Sequence, residues 1–248
     1  MIIPVNKLPS NFKPYPFKSF KLKAMNLQQA IDLGKNPSLV DVRNLIQKLV
    51  DDEINAKLLV PVDVKYLLAM LSFHAYPKMS WTLDLECPHC KDKHKRAITM
   101  KDFPPVPSLS DADPYPLMID DGTHVWKLGY CSVEAWDEMV SKLKIHKDTA
   151  IEDLNPALYI DIIAPYVLSV DDSTENVREK LLNIEDFNVL NLMLEAIKAY
   201  FLDDTEAEFE CPKCKEKYSV ALSAVEVTQY TPFLDKKAAG RYKINFRL

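Results

Sequence analysis

Glu86-Cys87-Pro88-His89-Cys90-Lys91-Asp92-Lys93 and Glu210-Cys211-Pro212-Lys213-Cys214-Lys215-Glu216-Lys217 are one motif written twice in a single chain. Six of the eight positions are identical and a seventh is acidic in both. Upstream of each copy apolar residues alternate with polar ones (Leu83, Leu85; Ala207, Phe209), and a second strand-like run follows (Ala97 to Met100; Tyr218 to Leu222). The pattern predicts two antiparallel hairpins, each with a Cys-Pro-x-Cys knuckle at its tip.

Two such knuckles facing each other are the parts of a zinc ribbon. Each tight C-x-x-C turn presents two thiolates, and zinc takes four soft ligands in a tetrahedron. The lysines that follow each pair partly offset the 2− charge of a zinc–tetrathiolate centre. The expected ligands are therefore Cys87, Cys90, Cys211 and Cys214, holding one structural Zn2+. Four cysteines leave no open coordination position, which favours a structural over a catalytic ion. The roughly 120 residues between the copies far exceed the usual ribbon spacing of about 15 to 20. A shared ion would thus tie two distant parts of the chain and couple metal binding to folding.

Rival readings of the cysteines fare worse. Cys-Pro-His-Cys also occurs as the redox tetrad of strong thiol oxidants, but that chemistry needs the first cysteine at the start of a helix. Here the following KDKHKRAITM reads as turn and strand. Two separate metal sites would need His89 or His94 to complete the first, and no histidine lies near the second. Neither an H-x-E deaminase signature nor H-E-x-x-H occurs. The fifth cysteine, Cys131, reads as a small buried hydrophobe. His74, His124 and His146 are isolated, and the acidic pairs Asp51/Asp52, Asp120/Asp121, Asp171/Asp172 and Asp203/Asp204 fall where turns are expected. No constellation supports catalysis, so neither an enzyme nor a small-molecule substrate is expected.

Composition narrows the classes further. The 248 residues include only four glycines, and no two lie closer than Gly122 and Gly129, which excludes glycine-rich phosphate loops and the G-x-S-x-G elbow. A net charge of −5 disfavours a surface devoted to nucleic acid. The apolar runs Tyr66–Tyr76 and Ala157–Val170 are too short or too interrupted to span a membrane. Nothing at the N-terminus reads as a signal peptide, so a reducing intracellular setting is expected.

Along the chain, the proline-rich residues 1 to 18 predict an extended arm running into a strand at Phe20–Ala24. Asn26 with Gln29 predicts a capped helix over 27–33, stopped by Gly34. Helices are predicted around Val42–Val50, after Pro61, and after Ser132 as N-cap, with a strand at His124–Tyr130. Residues 156–168 read as a buried, nearly all-round apolar helix. A further helix is expected at Val177–Leu182. Phe187, Leu190, Leu194, Ile197 and Phe201 form one stripe, read as a core helix in the same chain in preference to an intermolecular seam. The tail DKKAAGRYKINFRL is basic. The whole reads as α+β, mostly helical, in three parts: 1–102 with the arm, helices and first knuckle; a proline-rich connector at 103–116; and 117–248 with the second knuckle and basic tail. These should form one cooperative unit.

The order of elements from about residue 81 to 234, with IEDFNVLNLMLEAIKAYF leading through an acidic strand into ECPKC, resembles the baseplate hub assembly proteins of T4-like contractile-tailed bacteriophages. The strand KSFKLKAMN leading into a helix fits the same style. The resemblance implies a non-enzymatic assembly factor or minor hub component whose partners are other hub proteins. It also implies a place in the host cytoplasm during assembly, and in the virion if the protein is retained there. The alternative is a zinc-ribbon nucleic-acid-binding or transcription-associated protein, supported by the basic run Lys91, Lys93, Lys95, Arg96 and Lys101. The net acidity and the lack of an aromatic platform beside that run count against it.

Overall fold

A computed structural model of the chain describes residues 2–26, 28–29, 38–50, 54–75, 81–98, 110–143, 156–201 and 206–221. It combines helices with four small antiparallel sheets. The apolar residues gather into two cores, and the two knuckle hairpins pack against each other.

The first core is built on β1 (Ile2–Val5) and β2 (Phe20–Lys23), paired antiparallel with Ile3 opposite Leu22. Strict alternation sends Ile3, Val5, Phe20 and Leu22 inward. Residues 6–19 between them differ from the expected extended arm. They curl through consecutive turns, with Asn11 and Phe12 at positive φ, and Leu8 and Phe12 are buried. Phe12, Tyr15, Phe17 and Phe20 touch ring to ring, Tyr15 stacking on Phe17 at 4.9 Å. Apolar area outweighs the extended bias that the prolines impose, so the arm becomes part of the core.

Two helices close this core. In α1 (Leu39–Leu49), Ser38 and Asp41 form a reciprocal capping box, and Val42, Leu45, Ile46 and Leu49 line the inner face. Helix α2 (Pro61–Ala75) starts at a proline whose missing N–H costs nothing at that position. The capping pair Asn26 and Gln29 is present, each side chain accepting from the other's backbone N–H, but the remainder of the expected 27–33 helix and its Gly34 stop lie outside the described residues.

The second core is covered on one side by a three-stranded antiparallel sheet, β5 (Leu117–Asp120), β6 (Val125–Leu128) and β7 (Val167–Val170), with β6 central. Trp126 and Leu128 project from β6 into the core and are fully buried. Packed with them are α3 (Val133–Leu143), α4 (Pro156–Ile163), α5 (Val177–Leu182) and α6 (Phe187–Tyr200). Ser132 caps α3 as expected, accepting from Ala135 N–H at 3.1 Å. On α6, Leu190, Leu194, Ile197 and the following Phe201 are buried in the chain's own core, while Phe187 at the head of the stripe is exposed.

The run 156–168 is not one helix. It breaks at Ile163 into a single 3-10 turn, Ala164–Tyr166, and then becomes β7. Pro165 cannot donate to an α-helical ladder, and the β-branched Val167 and Val170 fit a buried strand beside β6.

The two cores are joined by particular side chains. Val133 of α3 is buried in the first core, and Val60 and Val62 in the second. Arg43, buried on α1, pairs with Glu134 on α3. A further tie is made by Asp63, fully buried in the first turn of α2. Its carboxylate accepts from Ser10 N–H at 2.9 Å, from Ser10 Oγ at 2.5 Å and from the Tyr15 hydroxyl at 2.5 Å. Burial, and the charge of Asp63 beside it, push the Tyr15 phenol well above its ordinary pKa, so the hydroxyl stays a donor. The same oxygen accepts from Val60 N–H at 2.9 Å. One carboxylate thus fastens the curled N-terminal segment to the start of α2. No described helix is long and apolar enough to cross a membrane.

Asp63→Ala should cost about 3 kcal/mol in urea unfolding, because three buried donors lose their acceptor, whereas Tyr15→Phe should cost about 1 kcal/mol. Equal losses would show that the hydroxyl, not the carboxylate, holds the segment.

Candidate metal centre

The duplicated sequence produces a duplicated backbone. Strands β3 (Trp81–Glu86) and β4 (Lys93–Ile98) pair with Glu86 opposite Lys93, and β8 (Glu206–Glu210) and β9 (Lys217–Ala221) pair with Glu210 opposite Lys217. In the first tip, Cys87 N–H donates to the Asp92 carbonyl and Lys91 N–H to the Cys87 carbonyl, both at 2.9 Å. In the second, Cys211 N–H donates to the Glu216 carbonyl and Lys215 N–H to the Cys211 carbonyl, both at 3.0 Å. Lys91 and Lys215 take the same left-handed conformation, with φ of 59° and 65°. Neither tip opens a helix, the geometry that a thioredoxin-like tetrad would need.

The two tips meet reciprocally. Cys87 Sγ lies 3.7 Å from Cys214 Sγ, and Cys90 Sγ lies 3.6 Å from Cys211 Sγ. All four sulfurs fall within 4.8 Å of one another, with Cys87 and Cys211 buried and Cys90 and Cys214 half-buried. A disulfide would need about 2.05 Å, so these are four thiols gathered in one place, a donor set that could hold a metal ion.

Their protonation is unequal. Backbone N–H groups of Cys214 and then Lys213 hold Cys211 down to about 6. Cys214, although the Glu216 backbone works to lower it, is pushed up to about 12 by burial and the neighbouring sulfurs. A similar balance raises Cys90 against its contact with the Asp92 backbone. The cluster therefore keeps protons at neutral pH that a metal ion would have to displace, and acid should weaken binding.

Around the sulfurs the hairpins interlock. Leu85, Phe209 and Tyr218 are buried, and the Arg96 guanidinium of β4 lies over the Phe209 ring of β8 at 5.5 Å. His94 Nε2 and the Tyr218 hydroxyl are 2.9 Å apart, the two rings edge to face. His94 and Tyr218 occupy the same position of the two motif copies, and exchanging the copies turns the Cys87–Cys214 contact into Cys90–Cys211. The hairpins are therefore arranged about an approximate twofold axis, across which His94 and Tyr218 meet. The His94–Tyr218 contact was not anticipated from the sequence.

Two residues of the basic run beside the first knuckle are matched by acids across their own hairpin. Lys93 lies 3.6 Å from Glu86, Lys95 lies 3.6 Å from Asp84, and in the second hairpin Lys215 lies 4.0 Å from Glu210. Lys101 lies outside the described residues.

The other singled-out residues lie elsewhere. His89 and His74 are exposed, and His124 Nδ1 sits 2.6 Å from Asp171 Oδ2. Asp121 closes the β5–β6 turn by accepting from the N–H groups of Thr123 and His124 and from Trp126 Nε1. Asp171 and Asp172 shape a turn at positive φ. His146, Asp51/Asp52, Asp203/Asp204 and the basic tail fall outside the described residues. No protein-family model, no curated protein and no solved structure matches the chain.

Cys131 is buried, and desolvation pushes its thiol up to about 12. At pH 8 iodoacetamide should leave it unmodified in the native protein and label it only after unfolding. Native labelling at the rate of a free thiol would show that its surroundings are open.

Proposed function

We propose that the chain is a non-enzymatic phage baseplate hub assembly factor or minor hub component, acting through protein–protein contacts and stiffened by one structural zinc ion in a ribbon made from two distant hairpins. The observation that carries the metal half of this reading is the reciprocal meeting of the sulfurs. A Zn–S distance of about 2.3 Å gives a tetrahedron with edges of about 3.8 Å. The cross-knuckle separations of 3.7 and 3.6 Å fit such an ion with little movement. Cys87, Cys90, Cys211 and Cys214 would fill its coordination, so the ion would fasten the chain and leave the binding of partners to other surfaces.

The hub assignment rests on the resemblance in element order and on the closed, non-catalytic character of a four-thiolate site. Its partners would be the other hub proteins, met in the host cytoplasm. The parts 1–102, 103–116 and 117–248 would then act as one unit, because the ion bridges the first and the last. A nucleic-acid-binding ribbon is the weaker reading: Lys93 and Lys95, which would contact phosphate, already face Glu86 and Asp84.

Anaerobically purified protein should contain one zinc per chain by elemental analysis. Cys87→Ser and Cys211→Ser should each lose it, with a melting temperature lower by about 10 °C or more. Wild-type protein should co-elute with hub subunits in gel filtration, and the metal-free variants should not. Loss of metal in only one variant would mean that the knuckles act separately. Retention on DNA that falls steeply with salt, without hub binding, would replace the assembly reading by the nucleic-acid one.

A further inference from the structure

Two of the positions at which the knuckle copies differ stand together beside the cluster. On one side of the four-thiolate cluster stand Asp92 and His94; the equivalent positions on the other side are Glu216 and Tyr218. A ring nitrogen of His94, a carboxylate oxygen of Asp92 and Cys211 Sγ lie within 4.8 Å of one another. His94 Nδ1 is buried without a hydrogen-bond partner and faces Asp92 Oδ2 at 3.6 Å. The ring is held from behind, because the Tyr218 hydroxyl engages the opposite nitrogen, Nε2, at 2.9 Å.

A mostly buried imidazole with Nε2 engaged by a hydroxyl and Nδ1 facing a carboxylate, in a group that includes a cysteine sulfur, is how a ligating histidine is normally presented. We propose that Asp92, His94 and Cys211 bind a second divalent transition-metal ion, with Cys211 Sγ bridging it to the four-thiolate site. This rests on the four-thiolate reading above and extends it. Mixed nitrogen, oxygen and sulfur donors suit a borderline ion such as Zn2+ or Co2+.

Metal–ligand distances of about 2.0 to 2.2 Å for nitrogen and oxygen put neighbouring donors of a tetrahedron about 3.4 Å apart, close to the separation of Nδ1 from the Asp92 oxygen. Charge favours the arrangement too. Four thiolates around one divalent ion leave 2−, and a second divalent ion with one carboxylate and a neutral imidazole reduces this to 1−. With three protein ligands the second ion keeps one position for water, whereas the first has none. Lys213, whose Nζ lies 3.9 Å from Asp92 Oδ1, would have to swing aside, and it is two-thirds exposed. Only this side can form the site, since Tyr218 replaces the imidazole on the other and serves instead to orient His94.

The test is an anaerobic Co2+ titration of the reduced, metal-free full-length protein, followed by absorption and by paramagnetic resonance. Wild type should saturate at two ions per chain. The first should give intense thiolate charge-transfer bands, and the second should diminish the paramagnetic signal, because two ions that share a thiolate couple magnetically. His94→Gln and Asp92→Asn should abolish the second step and keep the first, which also shows that they fold. Tyr218→Phe should weaken the second step by about 10- to 100-fold, and His89→Gln should leave both steps unchanged. Saturation at one ion, a second ion that survives His94→Gln, or a second ion whose signal simply adds would overturn the inference while leaving the four-thiolate site standing. Failure to bind any ion would overturn both.

Discussion

Four sulfurs held within 4.8 Å, drawn from positions 121 and 127 residues apart across the pairs that touch, are the constraint around which the chain is arranged. Two thiolates about 4 Å apart repel by roughly 4 kcal/mol at an effective dielectric of about 20. Closing a loop of this length adds an entropic cost that grows with its logarithm. The contacts between hairpins, the Arg96–Phe209 and His94–Tyr218 pairs, offset part of this. Protons retained on Cys90 and Cys214 offset more by removing charge. A bound cation would do the same work more strongly, converting mutual repulsion into shared attraction. In the chain, β4 precedes the sheet and helices of the second core and β8 follows them, so closing the cluster joins the two ends of the segment that carries them.

Asp63 plays the corresponding part at the N-terminal end. A buried carboxylate is tolerated when its oxygens are satisfied, and here a backbone N–H and two hydroxyls satisfy it. Its position in the first turn of α2 also aligns the negative charge with the positive end of the helix. The proline-rich segment could otherwise remain extended, since the prolines at 4, 9, 14 and 16 remove donors and bar regular structure. Its aromatic rings supply the burial, and Asp63 supplies the register at which Phe12 and Leu8 enter the core.

What was legible in the sequence follows from how local each signal is. The hairpins could be read because the cysteine spacing and its duplication leave few alternatives. Helices α1, α2, α3 and α6 could be read because their apolar residues keep a 3.6-residue period between recognisable caps and stops. Strands β1, β5 and β7 could not, because each has only four residues and draws its stability from a partner distant in sequence or from the core beneath. The run 156–168 misled for the same reason: an uninterrupted apolar stretch has no period to separate helix from strand, and Pro165 alone marks the change. The curled arm was misjudged because its turns are fixed by Asp63, more than 40 residues away. In the candidate site the four clustered cysteines were legible as a set, whereas their crosswise contacts and the His94–Tyr218 contact required the approximate twofold to be seen.

That approximate twofold also separates what the cluster must do from what it is free to do. Fastening two hairpins needs only the elements repeated in both copies: the cysteines, the glutamate–lysine pair at the strand ends and the left-handed lysine that closes each turn. These are the positions at which the copies agree. They differ at the pairs His89 and Lys213, Asp92 and Glu216, and His94 and Tyr218, and Asp92 and His94 of the first copy gather with Cys211 of the second. A purely mechanical clasp places no demand on an imidazole there, since a second tyrosine or phenylalanine would fill the space without leaving a buried nitrogen unpaired. An unsatisfied Nδ1 carries a free-energy cost of about 1 to 3 kcal/mol. Two of the three differences therefore bear on the flank where a ligand could relieve that cost, while the third, His89 and Lys213, lies on exposed positions.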